Sequence, residues 1–285
     1  MRNLNEDNVT QAVIARHLNA SDVRFREVMT GLVQHLHAFA REVHLTQAEW
    51  LEGIKFLTAV GHITDSRRQE FVLLSDTLGL STLVTAQNEK KPPGCTESTV
   101  FGPFYVADAP HYDHGDDISN GAVGWPCLVR GRVRDIEGRG IAGAMIETWQ
   151  ADAEGHYVVQ YAGLDTHRAR GVLTSGPDGH FHFRSIVAEA YPIPHDGPVG
   201  RMLDRLGRHP WRPAHLHFMI TVPGHQTLIT HVFRNGDEYL DSDAVFGVRQ
   251  SLIAEWAEQP DGSYLLEFDF VLNRTNEPEL QGNKV

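Results

Sequence analysis

A chain of 285 residues with 41% hydrophobic content can bury a core without disulfides or an obligatory partner, as one large domain or two modest ones. A formal charge of −12, with no basic run longer than Lys90-Lys91, argues against nucleic acid as partner, since a phosphate backbone needs concentrated positive charge. A small molecule is the better expectation. No stretch approaches the roughly 20 apolar residues of a membrane span. Only Cys95 and Cys127 are present and the N-terminal segment lacks an apolar signal region, so the expected location is a reducing cytoplasm and the sequons at Asn8 and Asn19 carry no meaning.

From about Glu6 to Asn88 the pattern is helical. Phe25, Val28, Met29, Leu32, Leu36, Phe39 and Val43 recur at three- and four-residue steps and make one apolar face. Thr46-Gln47-Ala48-Glu49 reads as a capping box that opens a helix carrying Trp50, Ile54 and Leu57. A third helix is expected from Ser66 to about Ala86, through Phe71, Leu74, Leu78 and Leu83. The charge and proline of Asn88 to Gly94 end it. That segment divides a helical part, residues 1–94, from residues 95–285. Beyond Thr96 the runs are short and β-like: Leu128–Arg134, Ala144–Trp149, Gly179–Ile186, His215–Val222, Thr227–Phe233 and Tyr264–Phe270. Short strands between glycine and proline turns suggest an antiparallel sandwich, so the expected class is α+β, a helical domain followed by an antiparallel β-sandwich.

The 17 histidines pose the question of which converge. In His215-Leu216-His217 both imidazoles leave the same face of a strand while Leu216 leaves the other, which makes a ready two-nitrogen ligand pair. His-x-His alone is equally consistent with two solvated or core histidines. His180 and His182 form a second such pair after the Pro177-Asp178-Gly179 turn and read as a solvated strand face. His35 and His37 stand two apart on a helix and do not face each other. Arg212-Pro213-Ala214 precedes the first pair, and two tyrosines lie upstream in turn-rich segments, Tyr157 after Glu154-Gly155-His156 and Tyr191 before Pro192-Ile193-Pro194. Proline holds the preceding Tyr191 extended. Taken alone, each tyrosine is as well read as a core aromatic with its hydroxyl at the rim.

Gly155-His156-Tyr157, Tyr191-Pro192-Ile193-Pro194 and Arg212-Pro213-Ala214-His215-Leu216-His217 together resemble the intradiol catechol dioxygenase family. The spacings agree, with Tyr191 standing 34 positions after Tyr157 and His215 24 after Tyr191. The resemblance implies one non-haem Fe(III) per subunit held by Tyr157, Tyr191, His215 and His217. Tyr161 is the rival for the first place, and Tyr105 a weaker one. Two imidazoles and two phenolates form a mixed nitrogen and hard-oxygen set that matches Fe(III) better than a soft or divalent ion. The resemblance further implies that Tyr191 is released as a base when substrate binds, that Tyr157 stays, and that Arg212 stabilises negative charge on the ring. A surface ion pair is the plainer alternative for Arg212.

The same resemblance places Thr99-Val100-Phe101-Gly102-Pro103-Phe104 along the substrate pocket, with Leu73, Ile193, Pro194 and Val245 completing a mostly apolar wall. Catechol-preferring members typically carry Gln where His231 stands in Leu228-Ile229-Thr230-His231. Members acting on hydroxyquinol (benzene-1,2,4-triol) match better there, at Trp149-Gln150-Ala151-Asp152 and at Asp241–Gly247. Asp76 could accept a hydrogen bond from the third ring hydroxyl, or simply cap a helix or pair on the surface. The implied reaction is cleavage of hydroxyquinol with O2 to 3-hydroxy-cis,cis-muconate and thence maleylacetate, with catechol or chlorocatechols as alternatives. The helical part resembles the family's dimerisation domain, which implies a homodimer with a possible lipid at its interface. Two rival readings are a non-catalytic transthyretin-like binding module and a zinc or copper hydrolase built on the His pair.

Overall fold

A computed structural model describes residues 2–65, 68–161, 163 and 167–275. The chain divides into two compact units, residues 1–59 and 60–285. None of the described helices is long and apolar enough to cross a membrane.

The first unit contains α1 (Val9–His17), α2 (Val23–Glu42) and most of α3 (Gln47–Ile63). Asp22 caps α2 by accepting from the Phe25 N–H at 2.9 Å. The capping box at α3 forms as expected: Glu49 N–H donates to Thr46 Oγ1 at 3.3 Å and Thr46 N–H to the Glu49 carboxylate at 2.9 Å. α1 and α2 are joined by polar contacts, Arg41 donating to the Glu6 carbonyl and the Thr10 hydroxyl, each at 2.6 Å. No residue of α1 or α2 is buried. The apolar stripe of α2 is open, with Leu36 and Phe39 both more than half exposed.

In the second unit the expected third helix is two helices, α4 (Glu70–Thr77) and α5 (Leu80–Asn88); Ser66 lies outside the described residues. The break falls at Gly79, whose φ of +74° is the left-handed conformation that ends a helix and that glycine takes without a Cβ clash. The apolar rhythm through Leu74, Leu78 and Leu83 continues across the break and so hides it.

The framework of this unit is two five-stranded sheets. In the first, β1 (Pro126–Asp135) pairs on one side with β4 (His180–Ile186) and on the other with β11 (Tyr264–Glu267) and then β12 (Phe270–Leu272), while β10 (Trp256–Glu258) pairs with β11. The second runs β3 (Arg170–Thr174), β2 (Met145–Gln150), β7 (His215–Thr221), β8 (Leu228–Arg234), β9 (Ile253–Ala254). A two-stranded ladder joins β5 (Tyr191–Pro192) to β6 (Trp211–Arg212), and α6 (Pro198–Arg205) lies between them in sequence. The purely antiparallel sandwich expected from the sequence is corrected here: β1 runs parallel to β11 and β12, and β8 parallel to β9. The sheets are mixed. Side chains alternate with a period of two in either direction, so the hydrophobic pattern carries no signal of strand direction.

The core takes one face of each sheet: Val129 and Val133 of β1, Phe181 and Phe183 of β4 and Phe270 of β12, with Ile146 of β2, Leu216, Phe218 and Ile220 of β7 and Val232 of β8. On β4 the alternate residues His180 and His182 are exposed. β7 differs, because His215 and His217, which alternate with its core residues, are buried as well. A strand buried on both faces has something packed over its second face, and here that covering is polar.

Candidate active site

Three histidines share the outer face of the second sheet. The register sets His217 opposite His231 on β8 and opposite Trp149 on β2. Its ring therefore stacks on Trp149 at 4.7 Å and meets the His231 ring edge-on at 4.2 Å. Two bonds orient the neighbours. His215 Nδ1 lies 2.7 Å from the Pro213 carbonyl, which turns its Nε2 inward, and His231 Nδ1 lies 2.7 Å from Thr99 Oγ1. The Nε2 atoms of His215 and His217 stand 3.2 Å apart, and His231 Nε2 is buried without a hydrogen-bond partner.

Two tyrosines close over this face. Tyr157 follows the turn at Asp152–Gly155 in extended backbone, fixed by its N–H to Gln160 Oε1 at 2.8 Å. Its Oη lies 2.9 Å from His217 Nε2 and 3.3 Å from His215 Nε2. Tyr191 and Arg212 face each other in the β5–β6 ladder, and Arg212 Nη1 reaches the Tyr191 Oη at 3.4 Å and His215 Nε2 at 3.3 Å. The tyrosine rings meet edge-on at 5.2 Å. Tyr161 points elsewhere, donating to Asp152 at 2.7 Å, and Tyr105 donates to Glu147 at 3.0 Å. His180 bonds Asp178 at 2.6 Å and His37 the Thr10 hydroxyl at 3.0 Å, so both histidines have partners outside this cluster.

Burial sets the protonation states. It holds His215 down at about 3, with the Arg212 charge adding to the effect, and lowers His217 and His231 well below the usual imidazole value. All three are neutral at pH 7, as metal ligands must be. Burial also raises both phenols, Tyr157 the more steeply because Tyr191 adds to it, whereas Arg212 pulls Tyr191 back down. Arg212 keeps its charge against burial because Asp243 accepts from it at 3.0 and 3.3 Å. Asp243 is held low by Arg212 and by the N–H groups of Val245 and Gly247, which overcome its own burial.

The expected pocket residues distribute unevenly. A cleft of about 410 Å³ is lined by Leu73, Pro103, Phe104, Ile193 and Pro194, together with His156 and Glu70. Phe104 stacks on Tyr157 at 4.4 Å and thereby joins cleft to cluster. Gly102 takes a φ of +80° where a Cβ would stand 3.4 Å from His217, so the loop lies directly against that ring. Val100 is buried, and Phe101 packs on Tyr105 and Trp149. Asp76 is buried within the fields of Arg212 and Asp243, and burial raises its carboxyl. Val245 sits away from the cleft, in the turn that holds Asp243, with its carbonyl accepting from Thr82 at 3.2 Å.

Residues 22–96 match the family model for the catechol dioxygenase N terminus, and residues 100–274 match that of the dioxygenase domain. A 6-chlorohydroxyquinol 1,2-dioxygenase of Cupriavidus pinatubonensis is 64% identical over 96% of this chain and 100% of its own length. The chain belongs to the intradiol ring-cleavage dioxygenase family. A hydroxyquinol 1,2-dioxygenase of Nocardioides simplex is 51% identical over 90% of this chain and 88% of its own. Among solved structures, the hydroxyquinol 1,2-dioxygenase of Pseudomonas putida DLL-E4 superposes with a TM-score of 0.88 at 43% identity, covering 95% of this chain and 99% of that one.

For an intradiol dioxygenase the donor set fits a metal ion. Two inward nitrogens stand 3.2 Å apart with a phenol oxygen beside both, and among the described residues His215, His217 and His231 are the one group of three His, Cys, Asp or Glu side chains whose ligand atoms lie within 4.8 Å of one another. Sequence reasoning missed the supporting roles of three groups, namely Asp243 beneath Arg212, Thr99 beneath His231 and Trp149 against His217. All three lie in segments that carry the family likeness, but no residue-level signal distinguished them from their neighbours.

Proposed function

We propose that the protein binds one Fe(III) per subunit through Tyr157, Tyr191, His215 and His217 and uses O2 to cleave hydroxyquinol between its two adjacent hydroxyl-bearing carbons. The product is 3-hydroxy-cis,cis-muconate, which tautomerises to maleylacetate. The convergence of two buried tyrosines and two neutral histidines on one point carries the reading. Ferric iron held by these four residues would supply Lewis acidity and an acceptor for electron density from an aromatic diolate.

The protein's own groups do the rest. Tyr191 takes the proton of a ring hydroxyl and swings aside, and Arg212, beside its oxygen, steadies the phenolate before that step and the ring's negative charge after it. Tyr157 stays in place, pinned by the Phe104 stack. His231 and Asp76 contact the polar edge of the substrate, Leu73, Val100, Phe101, Gly102, Pro103, Phe104, Ile193 and Pro194 supply the surrounding shape, and Val245 acts through the turn that holds Asp243. Asp76, its carboxyl raised by burial, fits a neutral hydrogen-bond partner such as the third hydroxyl. The open α2 stripe, with Leu32, Leu36 and Phe39 exposed, is the surface for a second copy of the chain, so residues 1–94 act as a dimerisation domain.

Oxygen uptake with hydroxyquinol, 6-chlorohydroxyquinol, catechol and chlorocatechols tests the substrate. The expectation is that the triols turn over at least tenfold faster in kcat/KM than the diols, a preference of about 1.4 kcal/mol. A clear preference for catechol would overturn the assignment.

A further inference from the structure

The proposed ferric site takes two of the three clustered histidines as ligands, and the third, which that reading sets at the substrate's polar edge, keeps a buried nitrogen without a partner. His231 is fully buried, its Nε2 has no partner, and its ring edge lies 4.2 Å from His217 and 4.7 Å from His215 by centroid. Its outer nitrogen is tied to an oxygen, Thr99 Oγ1, as that of His215 is tied to the Pro213 carbonyl. Metal-ligating histidines make this second bond, because it fixes the tautomer and aims the free nitrogen. His231 is therefore built like a ligand.

We propose that His215, His217 and His231 form a three-imidazole site for a divalent first-row cation of the Zn(II) or Co(II) kind, overlapping the ferric site without needing its tyrosines. Neutral imidazole suits these ions, and three nitrogens on one face leave a fourth position open for water. With metal–nitrogen bonds of about 2.0–2.1 Å, the 3.2 Å between His215 and His217 Nε2 is close to a tetrahedral span. The ligand atoms of all three lie within 4.8 Å, so closing the set to a tetrahedral span of about 3.3 Å takes at most about 1.5 Å of approach. The adjacent strands β7 and β8 hold the three rings on one rigid face. The same pocket thus has two loading states, a ferric state using Tyr157 and Tyr191 and a divalent state using His231. A divalent ion held this way blocks the place where the diol must chelate.

The test is titration of the full-length chain, freed of metal by reduction and chelation, with Co(II) and then Zn(II). Wild type, His231→Gln, Thr99→Val and Tyr157→Phe are compared by visible d–d absorption and by competition for a chromophoric chelator. His231→Gln is expected to weaken Co(II) and Zn(II) on the order of 100-fold or more, and Thr99→Val by about 10- to 100-fold, as loss of a ligand's second bond does. Tyr157→Phe is expected to bind both ions as wild type does. Zinc should raise the melting temperature of wild type and of Tyr157→Phe but not that of His231→Gln, which reports binding even in a variant of reduced stability. Binding of Co(II) by His231→Gln as tight as by wild type overturns the proposal, and so does a loss in Tyr157→Phe as large as that in His231→Gln. A chain that binds Co(II) through His231 yet takes up no Fe(III) would sink the ferric reading and leave this one standing.

Discussion

The helical unit and the sheet unit spend their apolar residues in opposite ways. In residues 1–59 the large hydrophobics line a stripe that stays open, and polar contacts such as Arg41 to Glu6 and Thr10 join the helices. In residues 60–285 the hydrophobics fill the space between two sheets, and the polar groups cluster on the far face of β7 and β8. A fully packed core can hold buried histidines, tyrosines and an Arg–Asp pair at fixed distances, which a loosely packed helical layer cannot. Chemistry belongs with the rigid half. The open stripe is the surface proposed for association.

Substitution at matched positions breaks or sharpens that contrast. Phe218→Ala, in the sheet core, is expected to destabilise the protein by about 3–5 kcal/mol in denaturant unfolding, whereas Leu36→Ala on the open stripe should change unfolding by less than about 0.5 kcal/mol and instead weaken self-association in sedimentation. Equal effects on folding would erase the distinction. Arg212→Lys keeps the charge but loses the fork that Asp243 grips while Nη1 faces Tyr191, so kcat should fall by about 10²–10³-fold with a smaller change in KM.

The polar face also predicts an acid response. The three histidines have folded values below the unfolded value of about 6.5, His215 at about 3, so the unfolded chain binds more protons than the folded one between those limits. Stability of the metal-free protein should therefore fall as pH drops below about 6.5, by up to about 1.4 kcal/mol per pH unit for each histidine, and His231→Gln should flatten the slope. Unfolding curves of metal-free protein between pH 4 and 7 check it, and a flat profile would mean these imidazoles titrate normally. The smallest expected effect is at Asp76: Asp76→Asn should cut the kcat/KM preference for hydroxyquinol over catechol by about tenfold, close to 1.4 kcal/mol, with little change for catechol itself.

How much of this was legible in the sequence follows from the kind of signal each feature leaves. His215 and His217 could be read because a strand's alternation puts both on one face, and the capping box at Thr46 and Glu49 because its bonds are local. Tyr157 and Tyr191 sit in an extended residue after a turn and in a two-residue strand, where no periodicity exists, and only family resemblance pointed to them. Strand direction left no trace, and the parallel pairing of β1 with β11 and β12 was missed for that reason. The break at Gly79 did leave a signal, a glycine inside an apolar helical run, which the continuing leucine rhythm outweighed. Asp243 reads as one acid among several in a polar loop until the fold sets it under Arg212.

The central claim, that Tyr157 with Tyr191, His215 and His217 holds ferric iron for ring cleavage, is tested most directly by the visible spectrum and iron content of the purified protein beside Tyr157→Phe and Tyr161→Phe. The account predicts a red wild type with about one iron per subunit, from phenolate-to-Fe(III) charge transfer, loss of colour and activity in Tyr157→Phe, and retention of both in Tyr161→Phe, whose hydroxyl serves Asp152. A wild type that stays colourless after ferric reconstitution, or a Tyr161→Phe that loses its colour while Tyr157→Phe keeps it, would contradict it.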